Sequence, residues 1–192
     1  MSLTNETVKG LRVEFHYSSG DSRENDNLTK IIGFHGRYSV GDKHDYDHKD
    51  YNGWEEMKKA IMRKENASII EPLYMLDHSG LVLSTSPFAN HWDSGQLGFV
   101  IITKEKMREC YGVKRISKKV KETAMRVLQG ELKTYNQELC GDVYGYTCYK
   151  DNEVVDNCGG FYGSNPQENG MLGTMPEEFE ILLKDIDQLE VD

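Results

Sequence analysis

The longest continuous apolar stretch of this chain lies within Leu97–Thr103, LGFVIIT. It is too short to cross a membrane and too short for a buried helix. A run without alternation, rich in β-branched residues, reads as a strand covered on both faces at the centre of a sheet. Whatever else the chain forms must therefore supply a second strand pair and two covering layers.

The flanking segments supply them. Leu11–Tyr17 alternates with period two and reads as a strand, Ser18–Asn27 as a long hairpin loop, and Lys30–His35 as its partner strand. Ser68–Leu76 and Leu81–Thr85 flank the turn Asp77-His78-Ser79-Gly80, and Pro72 marks an edge or bulge in the first of them. Val143–Tyr149 and Glu153–Asn157 flank Asp151-Asn152, a second hairpin signal. Trp54, Met57 and Ile61 recur at helical spacing over Gly53–Arg63. Thr103 caps a helix over Lys104–Tyr111, with Gly112 at its C′ position. Ser117 opens the longest helix, whose stripe runs Ile116, Val120, Ala124, Val127, Leu128, Leu132, Tyr135, Leu139 to a stop at Gly141. Gly130 weakens it locally. Phe179, Leu182, Leu183 and Ile186 predict an acidic terminal helix within 176–192. The expectation is a single α+β domain over 1–192, with residues 1–10 flexible. Its mainly antiparallel sheet has about seven strands built from hairpins, under one long and two or three short helices. No repeat, low-complexity tract or linker interrupts it.

Charge narrows the partners. The 192 residues carry 23 Lys+Arg against 32 Asp+Glu, a net of −9, which argues against direct, general nucleic-acid binding. Lys104–Arg126 runs against that balance, with nine basic and three acidic residues, and can hold a phosphate, meet a partner or attract the acidic tail. The acids cluster at Asp42–Glu56 and at Glu177–Asp192. The N-terminal MSLTNETVKG lacks the apolar core of a signal peptide, so a cytoplasmic location is expected. Cys110, Cys140, Cys148 and Cys158 form no C-x-x-C pair and read as free thiols in a reducing compartment.

Three segments carry candidate chemistry. His35-Gly-Arg37-Tyr38 with Gly41–His48 holds three His and three Asp in fourteen residues, the raw material of a metal site or acid–base centre. Its H-x8-H-x3-H spacing matches no metal motif, so neither metal nor cofactor is expected, and a solvated loop explains it. Asp77-His78-Ser79 and His91-Trp92-Asp93-Ser94 contain the residue types of a hydrolytic triad, but there is no G-x-S-x-G elbow, and both Asp residues serve as turn formers. Trp92, in a loop, either covers the core or is presented to a ligand. Gly159-Gly160-Phe161-Tyr162-Gly163-Ser164-Asn165-Pro166 lacks the dinucleotide fingerprint and reads as a loop packed by its own rings.

YMLDHSG (Tyr74–Gly80), PFANHWDSGQLGF (Pro87–Phe99), KEKMRECYGVKRISKK (Lys104–Lys119), GDVYGY (Gly141–Tyr146) and GGFYGSNPQENGM (Gly159–Met171) together resemble a family of small proteins encoded by bacteriophages and mobile elements. The resemblance spans about Ile31–Met171. The family has no established activity, so no residue role transfers. What it implies is context: a viral accessory factor in the host cytoplasm that antagonises a host defence system.

Two functions follow as expectations. The first is a non-catalytic inhibitor that binds a defence protein or sequesters its nucleotide signal. Its acidic faces would compete for a basic groove, or Arg37, Lys114 and Arg115 would clamp a phosphorylated base with Trp92, Asp93 or Tyr162 alongside. The second is a small hydrolase or phosphodiesterase using His35, His44, His78 and Asp77. Either is compatible with a homo-oligomer.

Overall fold

The computed structural model describes residues 10–89, 92–184, 186–189 and 191. The segment 1–9, expected to be flexible, and His91 of the second candidate cluster lie outside the described residues. The fold is α+β, with seven strands that pair only antiparallel. They divide into two sheets, and the chain divides into two compact units, Ser22–Asn136 and the combination of 1–21 with 137–192.

The Ser22–Asn136 unit contains β2 (Lys30–Gly33), α1 (Trp54–Lys64), β3 (Ala67–Asp77), β4 (Leu81–Ser84), β5 (Ser94–Thr103), α2 (Lys104–Tyr111) and most of α3 (Lys118–Leu139). Its sheet has the order β2-β5-β3-β4. β5 is central as expected: Leu97–Ile102 are all buried, so alternate side chains meet a covering layer on each face. One layer is α1, whose Met57 and Ile61 join Ile32, Ile70, Phe99 and Ile101. Pro72 sits opposite Phe99, beyond the span Tyr74–Asp77 that β4 pairs, so β3 is locally an edge there. β4 is an edge strand, and Asn136 of α3 covers it by accepting from Leu83 N–H (2.7 Å) and donating to Leu83 C=O (2.9 Å). Gly130 does not interrupt α3.

The other unit contains β1 (Leu11–Tyr17), β6 (Val143–Lys150) and β7 (Glu153–Tyr162) in the order β1-β6-β7. The hairpin read between β1 and β2 does not form: β1 pairs with β6 and β2 with β5. The 18–29 connection is not a free hairpin loop because Arg23 and the backbone of Leu28 and Thr29 are tied to carboxylates within the Ser22–Asn136 unit. The Asp151-Asn152 hairpin forms, both residues having positive φ (51° and 68°). β7 extends to Tyr162, so the first half of the glycine–aromatic segment is strand; a shift in register at Tyr144/Gly145 accommodates Gly159 and Gly160.

The expected terminal helix is broken. α4 (Glu177–Glu180) gives way to one 3-10 turn, Ile181–Leu183, and the chain then runs irregularly. The reason is polar partnering from 164–167: Gln167 Nε2 donates to Leu183 C=O (2.8 Å), and Leu189 N–H donates to Ser164 C=O (2.7 Å). That path buries Phe179, Leu183 and Leu189 with Tyr146, Cys148 and Met171.

Candidate functional site

The described clefts of the Ser22–Asn136 unit gather where β2 ends, β3 ends and β5 begins. Glycine permits the chain crossing there. Gly98 faces Gly33 across the ladder, and a Cβ on Gly98 would lie 2.0 Å from Ile32 C=O. Phe34 then leaves the sheet with its N–H on Leu97 C=O (2.8 Å). The chain turns back along the outer edge of β2, where Asp42 N–H donates to Ile31 C=O (2.9 Å) and Asp42 Oδ2 accepts from Ile31 N–H (2.6 Å).

Between this returning loop and the start of α1 lies a cleft of about 750 Å3. Phe34, Tyr51, Trp54 and Met57 line it with His35 and His48. Trp54 packs edge-on against Phe99 (centroids 5.8 Å) and Phe34 lies 6.1 Å from Trp54, so the aromatic wall is anchored to the core. No carboxylate is among its lining residues. His48 belongs to the 35–48 cluster read from the sequence, but none of Phe34, Tyr51, Trp54 and Met57 stands out there as a site residue. Trp54 and Met57 follow the helical stripe, and a stripe does not reveal that its first turn overruns the core it covers.

The histidines divide by role. His44 is a structural residue: its Nε2 donates to Gly33 C=O (2.9 Å), Nδ1 accepts from Tyr46 N–H (3.3 Å), and its ring packs 4.9 Å from that of Phe34. With both nitrogens so used, it has no proton or lone pair for a substrate. His35 Nδ1 accepts from Arg37 N–H (3.3 Å) and Tyr38 N–H (3.1 Å). Its ring stacks on Tyr38 (5.0 Å, 13°). The neutral ring is thereby fixed as an Nε2–H donor, at a position lining all three clefts. Tyr46, beneath the loop, donates to Glu65 (2.9 Å), and burial with that bond pushes its hydroxyl pKa well up.

A separate cleft of about 360 Å3 brings together Asp77, Trp92 and Asp93 with Phe34 and His35. His78 Nδ1 lies 3.2 Å from Asp93 Oδ2, and Arg37 Nη1 lies 4.0 Å from Asp77 Oδ2. Trp92 is 96 % exposed, so it does not cover the core. Of the sequence candidates, His35, Arg37, Asp77, His78, Trp92 and Asp93 thus converge on one end of the sheet. Lys114 and Arg115 do not; they lie exposed in the α2–α3 connection, beyond the far end of β5. Tyr162 belongs to the other unit, where its hydroxyl accepts from Asp21 N–H (3.0 Å), its edge lies against Gly20, and burial raises its pKa.

No group of three or more His, Cys, Asp or Glu among the described residues is arranged to hold a metal ion. No described helix is long and apolar enough to cross a membrane. None of the four cysteines forms a disulfide. Burial pushes the Cys148 thiol up to about 12, which makes it inert rather than nucleophilic.

No family model, curated protein or solved structure matches this chain.

Proposed function

We propose that this protein is a non-catalytic binding protein that captures a small ring-bearing ligand in the Phe34–Trp54 cleft. The observation that carries the reading is the composition of that cleft: an aromatic wall anchored on Phe99, with a fixed imidazole N–H donor and no carboxylate on its lining. Such a wall stacks a planar ring, and the donor orients it. Its lining holds His35 and His48 but no Ser, Thr or Cys beside them to be activated as a nucleophile, and His44 is committed to backbone. In the context that the phage-family resemblance implies, the role is that of an accessory factor in the host cytoplasm, withholding a small signal molecule from a defence system. The rival role, blocking a defence protein, would use the acidic residues instead.

Native mass spectrometry of protein purified from bacterial cells tests the reading. An added mass of about a few hundred daltons, present in the wild type and lost in Trp54→Ala, is the expected result. Bare polypeptide mass in both, with a host protein retained on the immobilised chain, would move the function to a protein target. The hydrolase reading keeps one supporting contact, His78–Asp93 at 3.2 Å, which orients a ring nitrogen as catalytic dyads do. It requires turnover of the captured ligand that His78→Ala abolishes.

A further inference from the structure

The loop leaving β2 walls a second cleft of about 440 Å3 that shares Gly33, His35 and Gly36 with the ring cleft. The exposed side chains offered by its lining include Arg37, Ser39 and Lys43. One acid, Asp42, also lines it, but that carboxylate is already neutralised. Its Oδ2 accepts from Ile31 N–H (2.6 Å) and Arg23 Nη2 (2.6 Å), and its Oδ1 from Arg23 Nε (3.1 Å). Among the described residues, the Arg37 side chain makes a 4.0 Å contact to Asp77 and a 5.3 Å approach to the Tyr38 ring, and it is 75 % exposed. It is free to turn a bidentate edge toward an anion.

Residues 22–136 carry 19 basic and 16 acidic side chains, a net of +3, whereas the rest of the chain carries 4 and 16, a net of −12. That positive excess sits in Lys104–Arg126, at the far end of β5, and Asp42–Glu56 beside the cleft carries six acids against Lys43 and Lys49, so the attraction for an anion at the cleft is local, from Arg37 and Lys43.

We infer that the 35–44 loop holds the phosphate of the ligand whose ring enters the neighbouring cleft, so that the ligand class is a nucleoside phosphate. This rests on the ring-binding reading above. Arg37 and Lys43 supply the charge, and His35 Nε2–H sits at the junction of the two clefts. Lys114, Arg115 and Tyr162 take no part.

Calorimetric titration of the full chain with adenosine, guanosine, cytidine and uridine, and with the four matching 5′-monophosphates, tests the assignment. At least one monophosphate is expected to bind about ten-fold or more tighter than its nucleoside, the gain of one or two charge-assisted hydrogen bonds. In Arg37→Gln/Lys43→Gln that advantage falls to parity while the nucleoside affinity stays unchanged, which also shows that the variant is folded. Equal affinity of nucleoside and monophosphate for the wild type overturns the phosphate assignment and leaves the ring cleft standing. So does an advantage that survives the double substitution. Failure of all eight compounds to bind overturns the ring reading and the assignment together.

Discussion

Arg23 grips Asp42 edge to edge, with Nε 3.1 Å from Oδ1 and Nη2 2.6 Å from Oδ2, and its Nη2 also donates to Thr29 C=O at 2.9 Å. The pair ties the 22–29 connection to the loop that folds over the edge of β2. It also neutralises Asp42, the one carboxylate among the lining residues of the cleft of about 440 Å3.

Asp42→Ala is therefore expected to destabilise the fold by about 3 kcal/mol, because it strands a guanidinium only 12 % exposed and an edge N–H at Ile31. The urea midpoint reads the loss. A midpoint within error of the wild type would show that the pair is dispensable.

His44→Ala separates structure from catalysis. Losing the bond to Gly33 C=O and the acceptor for Tyr46 N–H is expected to cost about 1–2 kcal/mol of stability. Ligand capture persists, weakened through a looser Phe34. Unchanged stability with abolished function would instead make His44 a reacting group.

Alkaline pH acts through buried acids. Burial raises Cys148 from 9.0 to about 12 and Tyr144 from 10.0 to about 12. The native state holds these protons where the unfolded chain releases them, so their stabilising contribution is full below about pH 9 and is lost as pH climbs toward 12. Urea midpoints at pH 8 and at pH 10.5 are expected to fall in that order. In the same protein, a thiol reagent is expected to modify the exposed Cys110 and Cys140 rapidly, and Cys148 only after unfolding.

Truncation before Glu177 removes Phe179 and Leu183, both 0 % exposed in the core of the β1-β6-β7 sheet. Each deletion alone would cost about 3–5 kcal/mol, so loss of cooperative folding of that unit is the expected outcome by circular dichroism and melting. Retention of the full melting transition would show that the segment is an appendage.

Local patterns in the sequence reach the elements and stop short of their pairing. LGFVIIT names its own place at the centre of a sheet because only a doubly covered strand tolerates that run. Thr103, Gly112 and Ser117 mark helix ends, since each satisfies orphan backbone groups within three residues: Thr103 Oγ1 accepts from Lys106 N–H at 3.1 Å, Gly112 N–H donates to Glu109 C=O at 3.3 Å, and Ser117 Oγ accepts from Val120 N–H at 3.3 Å. The β1–β2 hairpin misleads because its long connection is claimed by Asp42 and Glu131, residues distant in sequence. The terminal helix misleads for a similar reason: apolar spacing fits a helix, but Gln167 and Ser164 hold the chain on another path. The His, Asp and Trp clusters at 35–37, 77–78 and 92–93 are visible as composition, and adjacency in the sheet brings them together. The aromatic wall of Phe34, Tyr51 and Trp54 is assembled by tertiary packing alone, so no spacing rule exposes it.

Trp54 can be made to report its own cleft. The chain has two tryptophans, so Trp92→Phe leaves Trp54 as the single emitter. Titrating that variant with the nucleoside 5′-monophosphates while following tryptophan fluorescence tests the central claim most directly. Saturable quenching by at least one of them, abolished by Phe34→Ala, is the predicted result; emission that stays flat with all four would contradict it.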